Sequence, residues 1–379
     1  MDFDLGWILL GLPLAFVLGW LASRLDLRQL RIENRRAPKA YFKGLNYLLN
    51  EQQDQAIDAF IEAVQKDPDT TELHFALGNL FRRRGEYQRA VRVHEHLLSR
   101  GDLSTADRQR AQHDLALDFL KAGLLDRAED ALRKLEGSRY EAQALLALLA
   151  IYERSRDWPQ ATDIAQKLQD HGEGSFSGRM AHYLCEQATA RTAAGDPEGA
   201  AQLLGRAIQV APQAARPRID MALMHFKADR HAQALQTLLE LAEAAPQSVP
   251  LIASALAQTG SAAGQADRAL AALQASYASF ASLDVLDAIV TLEGPPARQR
   301  YLQHLEREQS LVATARWLAG EKLEHEQFHP QVQRAIEHAT RPLTRYRCAA
   351  CGFEAKQHFW QCPGCQAWDS YPPRRVEEL

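Results

Sequence analysis

The sequence predicts an all-α protein: a solenoid of helical repeats, with an amino-terminal transmembrane helix and a small carboxyl-terminal domain built on four cysteines. Three observations lead to this prediction. Small residues recur every 33 to 39 positions through the middle of the chain, an uncharged apolar segment stands near the amino terminus, and two C-x-x-C pairs lie near the carboxyl terminus. A chain of 379 residues has room for all three parts.

The composition fits a helical protein and excludes several classes. Aromatic residues make up 8% of the chain and charged residues 24%, which suits close-packed helices and argues against wholesale disorder. The 44 Lys and Arg nearly balance the 48 Asp and Glu, so nucleic acid is not an expected partner. Five cysteines, four of them clustered, are too few for a disulfide-rich secreted domain.

The amino terminus has the features of a single-pass membrane anchor. Residues 5–22 carry no charge, and eighteen helical residues extend about 27 Å, close to the thickness of a hydrocarbon core. Trp7 and Trp20 stand near the two ends, where indole rings favour the headgroup layer. The basic segment 24–36 follows, and the positive-inside rule therefore places the body of the protein inside the cell.

A cleaved signal peptide is the alternative interpretation of this terminus. It requires positive charge before the apolar stretch, whereas Asp2 and Asp4 stand there. The basic residues after the stretch could also bind anionic headgroups, or they could set the topology alone.

The middle of the chain repeats with a period near 34 residues. One alanine per period keeps the register: Ala56, Ala90, Ala128, Ala161, Ala200, Ala234 and Ala269. A glycine, which suits a tight turn between two helices, lies five residues before four of them: Gly85, Gly123, Gly195 and Gly264. An aromatic side chain lies nine residues before the first four alanines: Tyr47, Phe81, Phe119 and Tyr152.

This register resembles the tetratricopeptide repeat, a pair of helices with an Ala-x3-Phe element that is present here at Ala56 and Phe60. Leu77, Gly78 and Phe81 supply most of its first element. The resemblance predicts a repeat solenoid over residues 37–340 with a groove that binds partner proteins. A groove that serves only as scaffold is the alternative.

The repeat pattern weakens along the chain. Arg191 and His225 stand where the fifth and sixth repeats should have an aromatic residue. Residues 284–339 stay helical in pattern without a clean register, so they are expected to form a degenerate repeat or a capping helix pair. Cys185 stands alone in a helix and is expected to be a buried small hydrophobe.

One enzymatic motif occurs in the sequence. His325, Glu326 and His329 spell H-E-x-x-H, in which two histidines hold zinc and the glutamate is the general base of a metallopeptidase. Pro330 argues against this interpretation, because proline disfavours the helical conformation at His329 and the helix should end there. A zinc metallopeptidase therefore remains a remote alternative to a protein without catalytic activity.

The two C-x-x-C pairs predict a metal site for one Zn²⁺ or Fe ion. Their spacing lets four thiolates converge, and the ligands are Cys348, Cys351, Cys362 and Cys365. Two disulfides are the alternative, and they require an oxidising compartment. A short hairpin bearing Phe353, Phe359 and Trp360 is expected to join the two pairs. The domain over residues 343–379 is expected to dock on the end of the solenoid.

This carboxyl-terminal segment resembles a rubredoxin-type or zinc-ribbon knuckle pair. It departs from rubredoxin in its short spacer, and Gln366 stands where glycine is expected after the last cysteine. Both departures favour zinc in a structural role over an iron site that carries electrons. The predicted organisation is an anchor (1–23), a basic juxtamembrane segment (24–36), the solenoid (37–340) and the metal-binding domain (343–379).

The order of these parts, together with the run from Tyr346 to Cys365 and the following Ala367-Trp368, resembles the lipopolysaccharide assembly protein B family of Gram-negative bacteria. The resemblance implies a non-catalytic inner-membrane regulator with its amino terminus in the periplasm and its body in the cytoplasm. It also implies action with the membrane protease FtsH on the deacetylase that commits precursors to lipid A. A scaffold for lipopolysaccharide synthesis and export enzymes is the alternative, and the sequence leaves homodimerisation open.

Overall fold

The computed structural model describes residues 16–20, 39–66, 69–319 and 329–379. The chain divides into two compact units, Met1–Ile151 and Tyr152–Leu379. The helices of the first unit are α1 Lys39–Leu49, α2 Gln53–Lys66, α3 Thr71–Arg84, α4 Tyr87–Ser99, α5 Thr105–Ala122 and α6 Leu125–Arg133, and α7 Glu141–Ser155 runs across the boundary.

The second unit continues with helices of similar length and ends in a small β-structure. Its helices are α8 Trp158–Asp170, α9 Ser177–Ala193, α10 Pro197–Val210, α11 Ala215–Lys227, α12 His231–Ala244, α13 Val249–Ala262, α14 Ala266–Ser279, α15 Leu283–Glu293, α16 Gln299–Leu305, α17 Leu311–Leu318 and α18 His329–Thr340. Two short strands follow, β1 Tyr346–Arg347 and β2 Glu354–Ala355, and a 3₁₀ turn at Val376–Glu378 ends the chain.

The alanine register of the sequence corresponds to the tightest contacts in the helix pairs. Every one of the seven alanines has no exposed surface. In the seventh pair, a Cβ added at Gly260 would lie 2.5 Å from the Cβ of Ala269. In the first pair, one added at Gly44 would lie 2.8 Å from the Phe60 ring. Larger side chains at these positions would force the two helices of a pair apart.

The turn inside each pair has a residue in the left-handed conformation at the same register position in all seven repeats. The four glycines that the sequence singled out have φ between 65° and 83°. In the three repeats without glycine, Glu51, Arg156 and Asp229 occupy the same register with φ of 57–58°. The turn geometry is therefore set by the packing of the two helices, and a non-glycine residue adopts it at a cost.

The positions nine residues before the repeat alanines are buried where they hold an aromatic side chain, and they pack differently where they hold another residue. Phe81, Phe119 and Tyr152 are buried. Arg191 of the fifth repeat is exposed instead, and in the seventh repeat Gly260 lets Ala269 close the gap.

The helices after the seventh repeat close the second unit. Val285, Ala288 and Ile289 of α15 join the core of the preceding repeats. Leu283 and Leu286, on the same helix, pack with residues of α16 and α17. The sequence predicted helices here without a register, and the described part has α15 to α18 with residues 320–328 outside it.

Of the helices that the structure describes, none combines the length and the apolar character that a membrane span needs. The predicted anchor at 5–22 lies outside the described residues except for 16–20, which are helical with exposed side chains. The basic segment 24–36 lies outside them altogether.

Candidate metal centre and its docking surface

The two C-x-x-C turns have matching backbones. In the first, the Gly352 N–H donates to the Cys348 carbonyl over 2.9 Å and Gly352 has φ 77°. In the second, the Gln366 N–H donates to the Cys362 carbonyl over 2.8 Å, and Gln366 has φ 61°. Gln366 thus adopts the left-handed conformation that a glycine would favour, so its presence does not disrupt the second turn.

The expected hairpin between the two turns is wrong in its placement. Strands β1 and β2 pair antiparallel, with Tyr346 opposite Ala355, and therefore flank the first turn. An isolated antiparallel bridge between Gln361 and Trp368 flanks the second turn. Each C-x-x-C is consequently the tip of its own small hairpin, because closing a tight turn brings the residues on both sides of it into register.

The four sulfurs converge on one point. All four Sγ atoms lie within 4.8 Å of one another, and the separations are 3.8 Å for Cys348–Cys365 and 3.7 Å for Cys351–Cys362. Four sulfurs at 2.3 Å from a tetrahedral zinc ion are about 3.8 Å apart, whereas a disulfide needs about 2.05 Å. The donor set and its spacing therefore fit a four-thiolate metal site.

The surroundings of the sulfurs shift their pKa values in opposite directions. Although a hydrogen bond with the Phe353 backbone lowers the pKa of the Cys351 thiol, burial and the neighbouring cysteine side chains raise it to about 12. The Cys348 thiol donates to the Ser370 hydroxyl oxygen over 3.3 Å, and the hydrogen bond between these two side chains lowers the pKa of the Cys348 thiol to about 6. Cys348 and Cys362 are buried, while Cys351 and Cys365 face solvent. Metal sites in proteins need at least three His, Cys, Asp or Glu side chains whose ligand atoms lie close together. Within the described residues, these four cysteines form such a group.

Trp368, just after the second turn, packs on the fourth and fifth repeats. Its indole N–H donates to Glu153 Oε1 over 3.0 Å. Its ring stacks on His182 at 4.8 Å and meets Trp158 and Tyr183 edge-on at 6.0 and 5.9 Å. The Tyr183 hydroxyl donates to the same Glu153 carboxylate. The half-buried Glu153 carboxylate therefore accepts hydrogen bonds from both the metal-binding domain and the repeats.

A second contact of the same region joins Asp369 to the same histidine. Asp369 lies 2.8 Å from His182 Nε2, beside the Trp368 stack. Leu251 of α13 packs against the core of the metal-binding domain, which consists of Tyr346, Cys348, Cys362 and Tyr371. The two buried metal-ligand candidates therefore belong to a core that includes a side chain from the seventh repeat.

The last residues of the chain hold the helices that close the second unit. Arg375 binds both carboxylate oxygens of Asp284, at 2.8 and 3.0 Å, and stacks over Tyr346 at 4.0 Å. Arg374 lies over the Phe280 ring at 3.8 Å. These two arginines connect the metal-binding domain to α15 and to the loop before it.

Two terminal glutamates cap two helices. Glu378 accepts from the Leu283 N–H over 2.7 Å, at the first turn of α15. Glu377 accepts from the Leu311 N–H over 2.7 Å and the Val312 N–H over 3.2 Å, at the first turn of α17. Carboxylates satisfy the free N–H groups of a helix start and interact favourably with its dipole.

The sequence led us to expect a domain that docks on the end of the solenoid. The structure instead has the domain along the second unit as well as at its closing helices. It contacts the fourth, fifth and seventh repeats as well as the closing helices. No local pattern in the sequence indicates this surface, because its residues are far apart in the chain: Glu153, His182, Asp284 and Trp368. The one available signal was the density of aromatic and charged residues after Cys365, which a solvent-exposed tail would not need.

The remaining site candidates of the sequence do not join this centre. His329 is the first described residue of α18 and is helical, so the expectation that Pro330 disfavours the helical conformation at His329 is wrong. His325 and Glu326 lie outside the described residues. Cys185 is buried, and burial raises the pKa of its thiol, as expected for a structural residue.

Comparison with known proteins decides the family. A family model described as "Rubredoxin metal binding domain" matches residues 346–372, and two models described as "Tetratricopeptide repeat" match residues 43–93 and 191–259. Lipopolysaccharide assembly protein B of Escherichia coli strain K12 is 31% identical over 376 residues, covering 96% of this chain and 97% of its own. The chain belongs to the lipopolysaccharide assembly protein B family.

A more distant relative and a solved structure are also similar to this chain. Lipopolysaccharide assembly protein B of Haemophilus influenzae is 26% identical over 390 residues, with 97% of this chain and 98% of that one covered. The crystal structure of a tetratricopeptide repeat protein from Parabacteroides merdae covers 68% of this chain at 15% identity, with a TM-score of 0.33.

Proposed function

We propose that this chain is a non-catalytic, membrane-tethered adaptor that regulates lipopolysaccharide biosynthesis through protein partners. Membership of the lipopolysaccharide assembly protein B family carries the biosynthetic context. The tetratricopeptide repeats carry the adaptor role, because repeats of this kind offer extended surfaces for protein segments.

The four cysteines hold one metal ion in this proposal, with zinc favoured. The metal supplies four bonds that fix the two turns, and such bonds provide the folding energy of a domain this small. With the two turns fixed, the side chains of Trp368, Asp369 and Arg375 are held in position to contact the helices of the second unit. Metal binding is thereby coupled to the order of the second unit.

The tether in this proposal is the apolar segment 5–22, with the amino terminus in the periplasm and the body in the cytoplasm. The absence of charge over eighteen residues and the basic side chains that follow support this topology. Confinement to the membrane raises the effective concentration of membrane partners, so modest affinities of a repeat groove suffice.

The partner process that we propose is FtsH-dependent degradation of the deacetylase that commits precursors to lipid A. The test is the half-life of that deacetylase in cells after a synthesis block, with this protein present and with it depleted. A longer half-life on depletion is the expected result. An unchanged half-life would refute the proteolytic role and favour a scaffold that assembles synthesis and export enzymes.

Matched variants connect the test to the metal centre. The double variant Cys348→Ser, Cys351→Ser should lengthen the half-life as depletion does, while Cys185→Ala, which changes a cysteine outside the centre, should leave it unchanged. Normal turnover with the double variant would show that the metal-binding domain has no part in the function.

The H-E-x-x-H motif supports one remote second candidate, a zinc metallopeptidase. In such an enzyme Glu326 would activate water, so Glu326→Gln would abolish function without affecting the fold. We expect Glu326→Gln to behave as wild type in the half-life assay.

A further inference from the structure

The four cysteines of the metal centre differ in their access to solvent. Cys348 and Cys362, the first cysteine of each C-x-x-C pair, are each 1% exposed and belong to the core of the metal-binding domain. Cys351 and Cys365, the second cysteine of each pair, are exposed. Each turn therefore contributes one buried and one exposed cysteine to the centre.

Each exposed cysteine lies close to a buried cysteine of the other turn. The Sγ atoms of Cys351 and Cys362 are 3.7 Å apart, and those of Cys365 and Cys348 are 3.8 Å apart. The sulfurs of a disulfide are about 2.05 Å apart. A movement of about 1.7 Å would therefore convert either contact into a covalent bond that joins the two turns.

We propose that Cys351 and Cys365 are oxidation sites of the metal-loaded chain, at which a hydroperoxide converts the four-thiolate centre into a disulfide between the two turns. Thiolates react with peroxides as nucleophiles, and exposure selects which thiolate reacts. The buried cysteine of the other turn serves as the resolving thiol, the second cysteine that redox-sensitive sites commonly have nearby. This inference rests on the metal site proposed above.

The reaction with hydrogen peroxide takes two steps. In the first, the exposed sulfur attacks one peroxide oxygen: an S–O bond forms, the O–O bond breaks, and the other oxygen takes a proton and leaves as water. In the second, the buried thiolate of the other turn attacks this sulfenic acid: the S–S bond forms, the S–O bond breaks, and hydroxide takes a proton and leaves as water. Two thiolates lose two electrons in total, the peroxide gains them, and two protons are consumed.

The disulfide has consequences for the metal and for docking. It removes two of the four thiolates, and the two that remain are too few for a structural site, so the metal is released. Trp368 belongs to the hairpin of the second turn through its bridge to Gln361. The oxidation thus acts on the hairpin whose indole contacts Glu153 of the repeats.

The test uses the full chain in detergent micelles, loaded with Zn²⁺ and freed of excess metal. Hydrogen peroxide is added while a chromogenic chelator reports released zinc, and a sample without peroxide serves as the control. Free thiols are then blocked with N-ethylmaleimide, and trypsin cleaves after Arg347, Lys356 and Arg374. The two turns fall on separate peptides, 348–356 and 357–374. A disulfide between the turns joins these peptides, whereas one within a turn does not, and mass spectrometry distinguishes the two.

We expect the two peptides to become joined at the same rate as zinc is released. Fragmentation should assign the link to Cys351 and Cys362 or to Cys348 and Cys365. Cys185, which is fully buried in α9, should stay reduced, and Cys185→Ala should release zinc at the wild-type rate. Dithiothreitol followed by Zn²⁺ should restore the separate peptides and the metal content.

A brief treatment of the loaded chain with N-ethylmaleimide tests the accessibility of the sulfurs directly. It should modify Cys351 and Cys365 several-fold faster than Cys348 and Cys362. Equal rates at all four cysteines, disulfides confined to single turns, or zinc retained under excess peroxide would each overturn the inference while sparing the metal site. A chain that binds no zinc before peroxide is added would refute the metal site and this inference together.

Discussion

The contact between Trp368 and Glu153 gives a quantitative test of how the metal-binding domain is held. Trp368→Phe retains an aromatic ring on His182 but removes the indole N–H that reaches Glu153 over 3.0 Å. A hydrogen bond to a charged acceptor contributes about 1.5–3 kcal/mol. The Glu153 carboxylate keeps the Tyr183 hydroxyl and has Arg179 at 3.5 Å, so the lower half of that range applies.

The expected consequence is a domain that undocks more often. A loss of about 1.5–2 kcal/mol corresponds to an opening equilibrium raised roughly 10- to 30-fold. Limited trypsin digestion of the full, metal-loaded chain measures it, because cleavage after Arg345 tracks the open population when opening and closing are fast. The initial cleavage rate should rise by the same factor.

A second tryptophan of the same domain offers the matched control. Trp360 lies 5.9 Å from the His182 ring and 4.7 Å from the His358 ring, and the structure gives its indole no hydrogen bond within the described residues. Trp360→Phe should therefore change the cleavage rate much less. Equal cleavage rates for the two variants, or a wild-type cleavage rate for Trp368→Phe, would refute the reasoning that this hydrogen bond keeps the metal-binding domain docked on the repeats.

Three further predictions concern the turns, the metal and pH. Gly195→Ala should destabilise the chain by about 1 kcal/mol through backbone strain alone, since no atom lies within 4 Å of the added Cβ. Arg156→Gly should stabilise the chain by a similar amount, because it removes the strain of a non-glycine residue at positive φ. Urea denaturation measures the free energy of unfolding of both variants. Removal of the metal with a chelator should expose the bond after Arg345 to trypsin, as should Cys348→Ser, while the helical circular dichroism stays near its original value. Burial lowers the pKa of His304 in the folded chain, so the unfolded chain binds a proton at this histidine more readily. The urea midpoint should therefore fall as the pH drops below about 6.5. His304→Gln should make the urea midpoint depend less steeply on pH.

Each of these has an outcome that would contradict it. Gly205, inside helix α10, also has open space around an added Cβ, and Gly205→Ala should stabilise the chain through helix propensity. The same sign at Gly195 would show that its left-handed backbone carries no strain. A wild-type trypsin cleavage pattern after chelation would show that docking of the domain does not depend on the metal. An unchanged pH dependence of the urea midpoint in His304→Gln would assign the acid sensitivity to other groups.

The sequence by itself determined the parts that depend on local patterns. The seven alanines, the four turn glycines and the two C-x-x-C pairs are all recognisable because a fixed spacing reflects a fixed local geometry: two helices that cross closely, a left-handed turn, and two thiolates on one knuckle. Even the three turns without glycine follow that register, with Glu51, Arg156 and Asp229 at positive φ.

Only the tertiary structure decided where the metal-binding domain lies and what it does to the repeats. Trp368 reaches Glu153 across 215 positions, and Arg375 reaches Asp284 across 91. Neither pair has a periodic or local signal, because contacts between a folded domain and a helix surface depend on shape and charge brought together by folding. Spacing along the chain predicts how each element folds, whereas the docking of one element on another is settled by the side chains that meet in space.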